Sequence, residues 1–192
     1  MLRRRFLLTA ATIAITGVCY ASPLTYVATL SGGGENPAVD SPGTGSATVT
    51  YDSTTHLLGV EVTFSGLTSG TTASHIHCCV APPGSTGVAT TVPTFAGFPL
   101  GVTSGTYVNT LDLTSLSSFN PAFVSAHGGT AAGAEAALAA GLADGMAYLN
   151  IHTANFPGGE ISGFLVEVPE PGTLALAGVA LAALCVRRRD RR

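Results

Sequence analysis

The sequence predicts an all-β domain, an antiparallel Greek-key-like β-sandwich with one short helix. Three observations predict it. Several short segments alternate apolar and polar residues with period two; clusters of Gly, Pro, Ser and Asn separate them; and the middle of the chain is rich in Thr, Ser, Val and Gly, with no Trp anywhere. Leu58, Val60, Val62 and Phe64 share one face of a strand, with Gly59, Glu61 and Thr63 opposite. Residues 24–30, 45–51, 105–111, 146–152 and 160–166 read the same way. Ser31-Gly-Gly-Gly34, Pro82-Pro-Gly84 and Pro157-Gly-Gly159 supply turns. The exception is the Ala-rich run Thr130 to Leu142, which suits a helix crossing between two strands and ending near Gly141 or Gly145.

Charge divides the 192 residues into three parts. There is no lysine, and all eight arginines lie at the ends, at positions 3–5 and among 187–192. Between Ser22 and Val168 stand nine acids and no Lys or Arg, so this portion carries a formal charge of −9 with neutral histidines. Such a surface repels phosphate backbones and attracts cations, which argues against a nucleic-acid partner.

The ends read as addresses rather than as fold. Arg3–Arg5 form a basic start, Phe6 to Val18 an apolar stretch of signal-peptide length, and Cys19-Tyr-Ala21 presents small residues for cleavage after Ala21. Residues 1–21 are therefore expected to engage the export translocon and signal peptidase, leaving a domain over residues 22–167. Residues 168–192 hold Pro169-Glu170-Pro171, an apolar run from Leu174 to Val186 and an Arg cluster. The prolines keep the first part extended, the apolar run engages a membrane as a helix, and the arginines mark the cytoplasmic side. This tail resembles the PEP-CTERM sorting signal of Gram-negative bacteria. The resemblance implies recognition and removal by exosortase, a cell-surface or extracellular destination, and an association with an exopolysaccharide matrix.

The domain between the ends resembles a second family, the CHRD domain. The resemblance rests on Ser74-His-Ile-His77, Phe119-Asn-Pro-Ala-Phe123 with Gly128-Gly129, Ala147-Tyr-Leu-Asn-Ile-His-Thr153, Phe156-Pro-Gly-Gly-Glu-Ile161 and the acidic-then-proline site Glu35-Asn-Pro37. Two positions depart from the family pattern. Ser162 stands where Arg is usual, and Cys78-Cys79 follows His-Ile-His in place of Gly. The resemblance implies an extracellular module and names no reaction. No nucleophile elbow, P-loop or dinucleotide fingerprint appears, so a non-enzymatic binding or structural role is expected, with no catalytic residue.

The histidines carry the rival reading, a metal-binding or redox protein. On strands, His75 and His77 share a face opposite Ile76, and His152 lies opposite Leu149 and Ile151. If the two strands are neighbours, His75, His77 and His152 converge on one sheet face, in a set of donors suited to copper or zinc. The alternative is that the rings fix a strand pair through hydrogen bonds, with Asn150, Thr153 and Glu160 as partners. The His-Ile-His pair is also similar to the copper strand of Cu/Zn superoxide dismutase, but a dismutase needs a basic residue to guide its anion, and this domain has none. Cys78 and Cys79, directly after His77, are candidates for additional ligands, a vicinal disulfide, free thiols or a bridge between chains. His127 reads as a turn residue and His56 as a solvated residue at a strand start.

Overall fold

The computed structural model describes residues 22–169. The cleavage site at Ala21, Glu170 and Pro171 of the sorting motif, and the apolar run from Leu174 lie outside the described residues. Among the described residues, no helix is long and apolar enough to cross a membrane.

Among the described residues eight strands form: β1 Leu24–Ser31, β2 Thr44–Asp52, β3 Leu57–Ser65, β4 Thr71–Cys78, β5 Gly105–Asp112, β6 Ala147–Thr153, β7 Ile161–Phe164 and β8 Val166–Val168. Two helices, α1 Pro121–Ala126 and α2 Ala131–Ala143, lie between β5 and β6. All pairings are antiparallel, as the alternation predicted.

The two-sheet sandwich does not form. Seven strands hydrogen-bond in one order, β4-β6-β7-β1-β2-β3-β5, as a single sheet curled into a half-barrel, and β8 adds to β1. The reason lies at β1. Its end meets β7 through Ser31 and Ser162, while its start pairs with β8 from Thr25 to Val27. This strand therefore joins what would otherwise be two sheets. Period-two patterning reports that each strand has one buried face, but a curled sheet and two stacked sheets both meet that condition.

The inner face carries the predicted apolar residues. Leu58, Val60, Val62 and Phe64 are buried on β3, and Ile76, Leu149 and Ile151 are fully buried on β4 and β6. Each such side chain contributes about 1.5–3 kcal/mol by leaving water. The predicted helix exists within a residue of its expected bounds. Thr130 caps it by accepting a hydrogen bond from Gly133 N at 3.0 Å. Ala134, Leu138, Gly141 and Leu142 face inward at helical spacing. The chain leaves the helix through Gly145 at φ +65, a left-handed conformation that glycine adopts freely. The first helix was not predicted. Its signal was Asn120, which caps Ala122 N at 3.0 Å, followed by Pro121 in the first turn.

Candidate metal centre

β4 and β6 are neighbours, and their register places His75 opposite Asn150, His77 opposite Tyr148 and Ala73 opposite His152. With Ile76, Leu149 and Ile151 turned inward, His75, His77 and His152 gather on the outer face. One ring nitrogen from each lies within 4.8 Å of the others. The ring centroids of His75 and His152 are 5.2 Å apart, those of His75 and His77 5.9 Å, and those of His77 and His152 6.2 Å.

An outer face would ordinarily be wet, but this one is covered. The connection from β4 to β5 runs along the free edge of β4, where Ala89 N donates to Ile76 O at 2.9 Å and Phe95 N to Ser74 O at 3.1 Å, and it reaches the rings at Thr86 and Pro93. His75 and His77 are consequently 6 % and 7 % exposed.

Backbone carbonyls orient all three rings. His75 Nε2 lies 2.6 Å from Pro93 O, His77 Nδ1 2.8 Å from Thr86 O, and His152 Nδ1 2.9 Å from Pro157 O. A carbonyl accepts and never donates, so each of these nitrogens carries its proton. In a neutral ring the other nitrogen is then a bare lone pair. The lone pairs left are on His75 Nδ1, His77 Nε2 and His152 Nε2, and two of them, His75 Nδ1 and His152 Nε2, face each other at 3.3 Å. His77 Nε2 lies 3.1 Å from Asn150 Oδ1. A neutral ring with its proton on Nδ1 pairs with this amide only when the amide is turned so that its NH2 group faces Nε2.

Burial keeps the rings neutral. Desolvation pushes His75 down to about 4, and the neighbouring His152 and His77 add to the fall against the opposing Pro93 hydrogen bond. Burial likewise lowers His77 and His152. The site is thus three uncharged imidazoles, oriented from outside, with lone pairs converging.

A further layer holds this arrangement. Tyr148 stacks on His77 at 4.7 Å with the planes 10° apart, and its hydroxyl donates to Thr86 O at 3.2 Å while accepting from Thr86 N at 3.2 Å. Tyr148 therefore fixes the carbonyl that fixes His77. Glu160 and Thr153, expected as partners of the histidines, bond elsewhere. Glu160 is fully buried and accepts from Ser41 Oγ and Thr68 N, both at 2.7 Å, and from Thr153 Oγ1 at 2.5 Å.

The cysteines do not join the histidines. Cys78 and Cys79 are bonded to each other, and their sulfurs pack against α2 at Gly141. His127 closes α1, its Nδ1 donating to Phe123 O at 2.8 Å. His56 is not merely solvated. Its Nδ1 pairs with Glu135 Oε1 at 2.9 Å, and Tyr51 donates to the same oxygen at 2.9 Å, tying α2 to the β2–β3 hairpin.

Sequence reasoning found the three histidines and Asn150 but missed the carbonyls of Thr86, Pro93 and Pro157. Every residue carries a carbonyl, so nothing in the sequence marks these three. A family model, the CHRD domain, matches residues 26–165. A second, the PEP-CTERM protein-sorting motif, matches residues 167–189. No curated protein and no solved structure matches the chain. The chain belongs to the CHRD domain family, and its PEP-CTERM motif marks it as an exported cell-surface protein processed by exosortase.

Proposed function

We propose that this CHRD module is a non-enzymatic surface or matrix protein that holds one copper or zinc ion on His75, His77 and His152. The observation that carries the reading is the contact between His75 Nδ1 and His152 Nε2 at 3.3 Å, where both outer nitrogens already give their protons to carbonyls. Two lone pairs face each other there, and a cation resolves the conflict. A shared proton would do so as well, but burial opposes protonating either ring. A metal ion takes the lone pairs without protonating them.

Neutral imidazoles suit copper and zinc, whereas calcium and magnesium require oxygen ligands. No carboxylate belongs to the cluster. The carbonyl behind each ring is the usual arrangement by which metal-bound histidines are held in one tautomer. In the precursor, signal peptidase would cut after Ala21 and exosortase would remove the apolar tail, leaving the domain at the surface or in an exopolysaccharide matrix.

The test is elemental analysis and titration calorimetry on the exported protein purified without chelators. The expected result is close to one copper or zinc per chain, lost in His75→Ala and in His152→Ala. A wild-type protein that neither carries nor takes up either metal overturns the reading.

A further inference from the structure

We propose that the cavity between residues 35–39 and 155–159, with Glu35 in its wall, binds a primary ammonium group. The cavity holds about 280 Å³ and is lined by Glu35, Pro37, Val39, Asn155, Phe156 and Pro157, among others. Glu35 Oε1 is buried and accepts no hydrogen bond. An acceptor in that state costs roughly 1–3 kcal/mol, more when charged, so a missing donor is worth locating.

The chain packs against this carboxyl with no side chain to spare. Gly159 passes so close that a Cβ there would lie 2.6 Å from each carboxylate oxygen. Burial pushes Glu35 up to about 7, against an opposing hydrogen bond from Ser162 on β7. Glu35 is the one titratable residue among those lining the cavity. Between Ser22 and Val168 no Lys or Arg exists to supply a cation from within. Ser162 offers only a neutral hydroxyl, so a cation that balances the ionised carboxyl comes from outside the domain.

Calcium fits poorly. It takes 6–8 oxygen ligands, and the side chains of the cavity offer one carboxylate and the amides of Asn36 and Asn155 among proline, valine and phenylalanine walls. Those walls suit an alkylammonium, whose methylene stem packs against Pro37, Val39 and Phe156 while its head reaches Glu35. The inference rests on Glu35 and its cavity, not on the metal reading.

The experiment is calorimetric titration of the exported protein with butylammonium chloride, in wild type and Glu35→Gln. That substitution is nearly isosteric and leaves the fold in place. Saturable binding at one site is expected, at least tenfold weaker in Glu35→Gln. Because the carboxylate is the binding form, affinity should level off above about pH 7 and fall tenfold per unit below it. Nα-acetyl-lysine amide and glucosamine then separate a protein side chain from an amino sugar as the source, and tighter binding of either supports the site. Absence of saturable binding, equal affinity in Glu35→Gln, or calcium binding in place of the amine overturns the proposal.

Discussion

His75 Nδ1 and His152 Nε2 face each other at 3.3 Å, although β4 and β6 place these residues diagonally rather than directly opposite. The diagonal offset lets His77 complete a triangle from the same side. It also leaves Asn150, directly opposite His75, between the rings. The centre of the site is thus a property of strand register, which the surrounding loops then lock.

Those locking groups should be measurable apart from the ligands. Asn150 touches His77 Nε2, and Tyr148 holds Thr86 O against His77 Nδ1. Outer groups of this kind are worth about 10–100-fold in metal affinity. Asn150 instead occupies the nitrogen that the metal would take, so Asn150→Ala is expected to leave copper or zinc binding unchanged or to tighten it. Tyr148→Phe keeps the stacked ring but loses the hydroxyl bonds that hold Thr86, the acceptor behind His77 Nδ1, and is expected to weaken binding toward the lower end of that range. Competition with a chelator of known affinity reads both. An affinity unchanged in Tyr148→Phe would show that the carbonyls alone orient the rings, and a loss in Asn150→Ala would show that His77 Nε2 is not the metal's nitrogen.

Gly141 is set by a different contact. It sits inside α2, where glycine costs about 1 kcal/mol relative to alanine. An alanine Cβ there would overlap Cys78 Sγ and lie 2.6 Å from Cys79 Sγ. Gly141→Ala is therefore expected to destabilise the domain by about 1–3 kcal/mol despite its better helix propensity. The same substitution in a Cys78→Ala/Cys79→Ala background should lose most of that penalty. Thermal denaturation of the three proteins decides it. An equal cost in both backgrounds would place the conflict elsewhere on the helix.

Much of this was legible in the sequence, for an identifiable reason. Strand parity is local, so Ile76, Leu149 and Ile151 assigned the histidines to one face before any strand pairing was known. The Ala-rich helix was legible through its composition and its trailing glycine. What escaped depends on distant segments. Covering of the outer face needs the β4–β5 connection to fold back, and no periodicity announces that. The curl of the sheet needs β1 to pair with both β7 and β8, which alternation does not encode. Ser162 was visible as a departure from the family pattern, but its meaning waited on its place beside Glu35. His56 read as solvated because its partner, Glu135, stands 79 residues away.

The pH dependence of the metal-free protein separates two buried groups of opposite sign. Burial lowers His75 from 6.5 to about 4, so in the unfolded chain it takes a proton that the folded state refuses. Stability is then lost as pH falls from 6.5 toward 4, and His77 and His152, also lowered, act in the same sense. Glu35 works the other way. It is raised from 4.5 to about 7, so the unfolded chain ionises first and stability is lost as pH rises from 4.5 toward 7. In wild type the two trends oppose each other through the shared window. Glu35→Gln removes one of them. That variant should melt higher than wild type above about pH 7 in the absence of any amine, and match it near pH 4.5. Its own profile should be flat above 6.5 and fall below it, the histidine trend alone. The carboxylates held low by hydrogen bonds, Asp52, Asp112 and Glu160, add their own losses only below their ordinary values of 3.8 to 4.5, outside this window. Melting temperatures of the chelator-treated proteins at half-unit pH steps give both curves. A Glu35→Gln protein that melts no higher than wild type at pH 8 would mean that Glu35 is not desolvated in the folded chain, and the ammonium site would lose its physical basis with it.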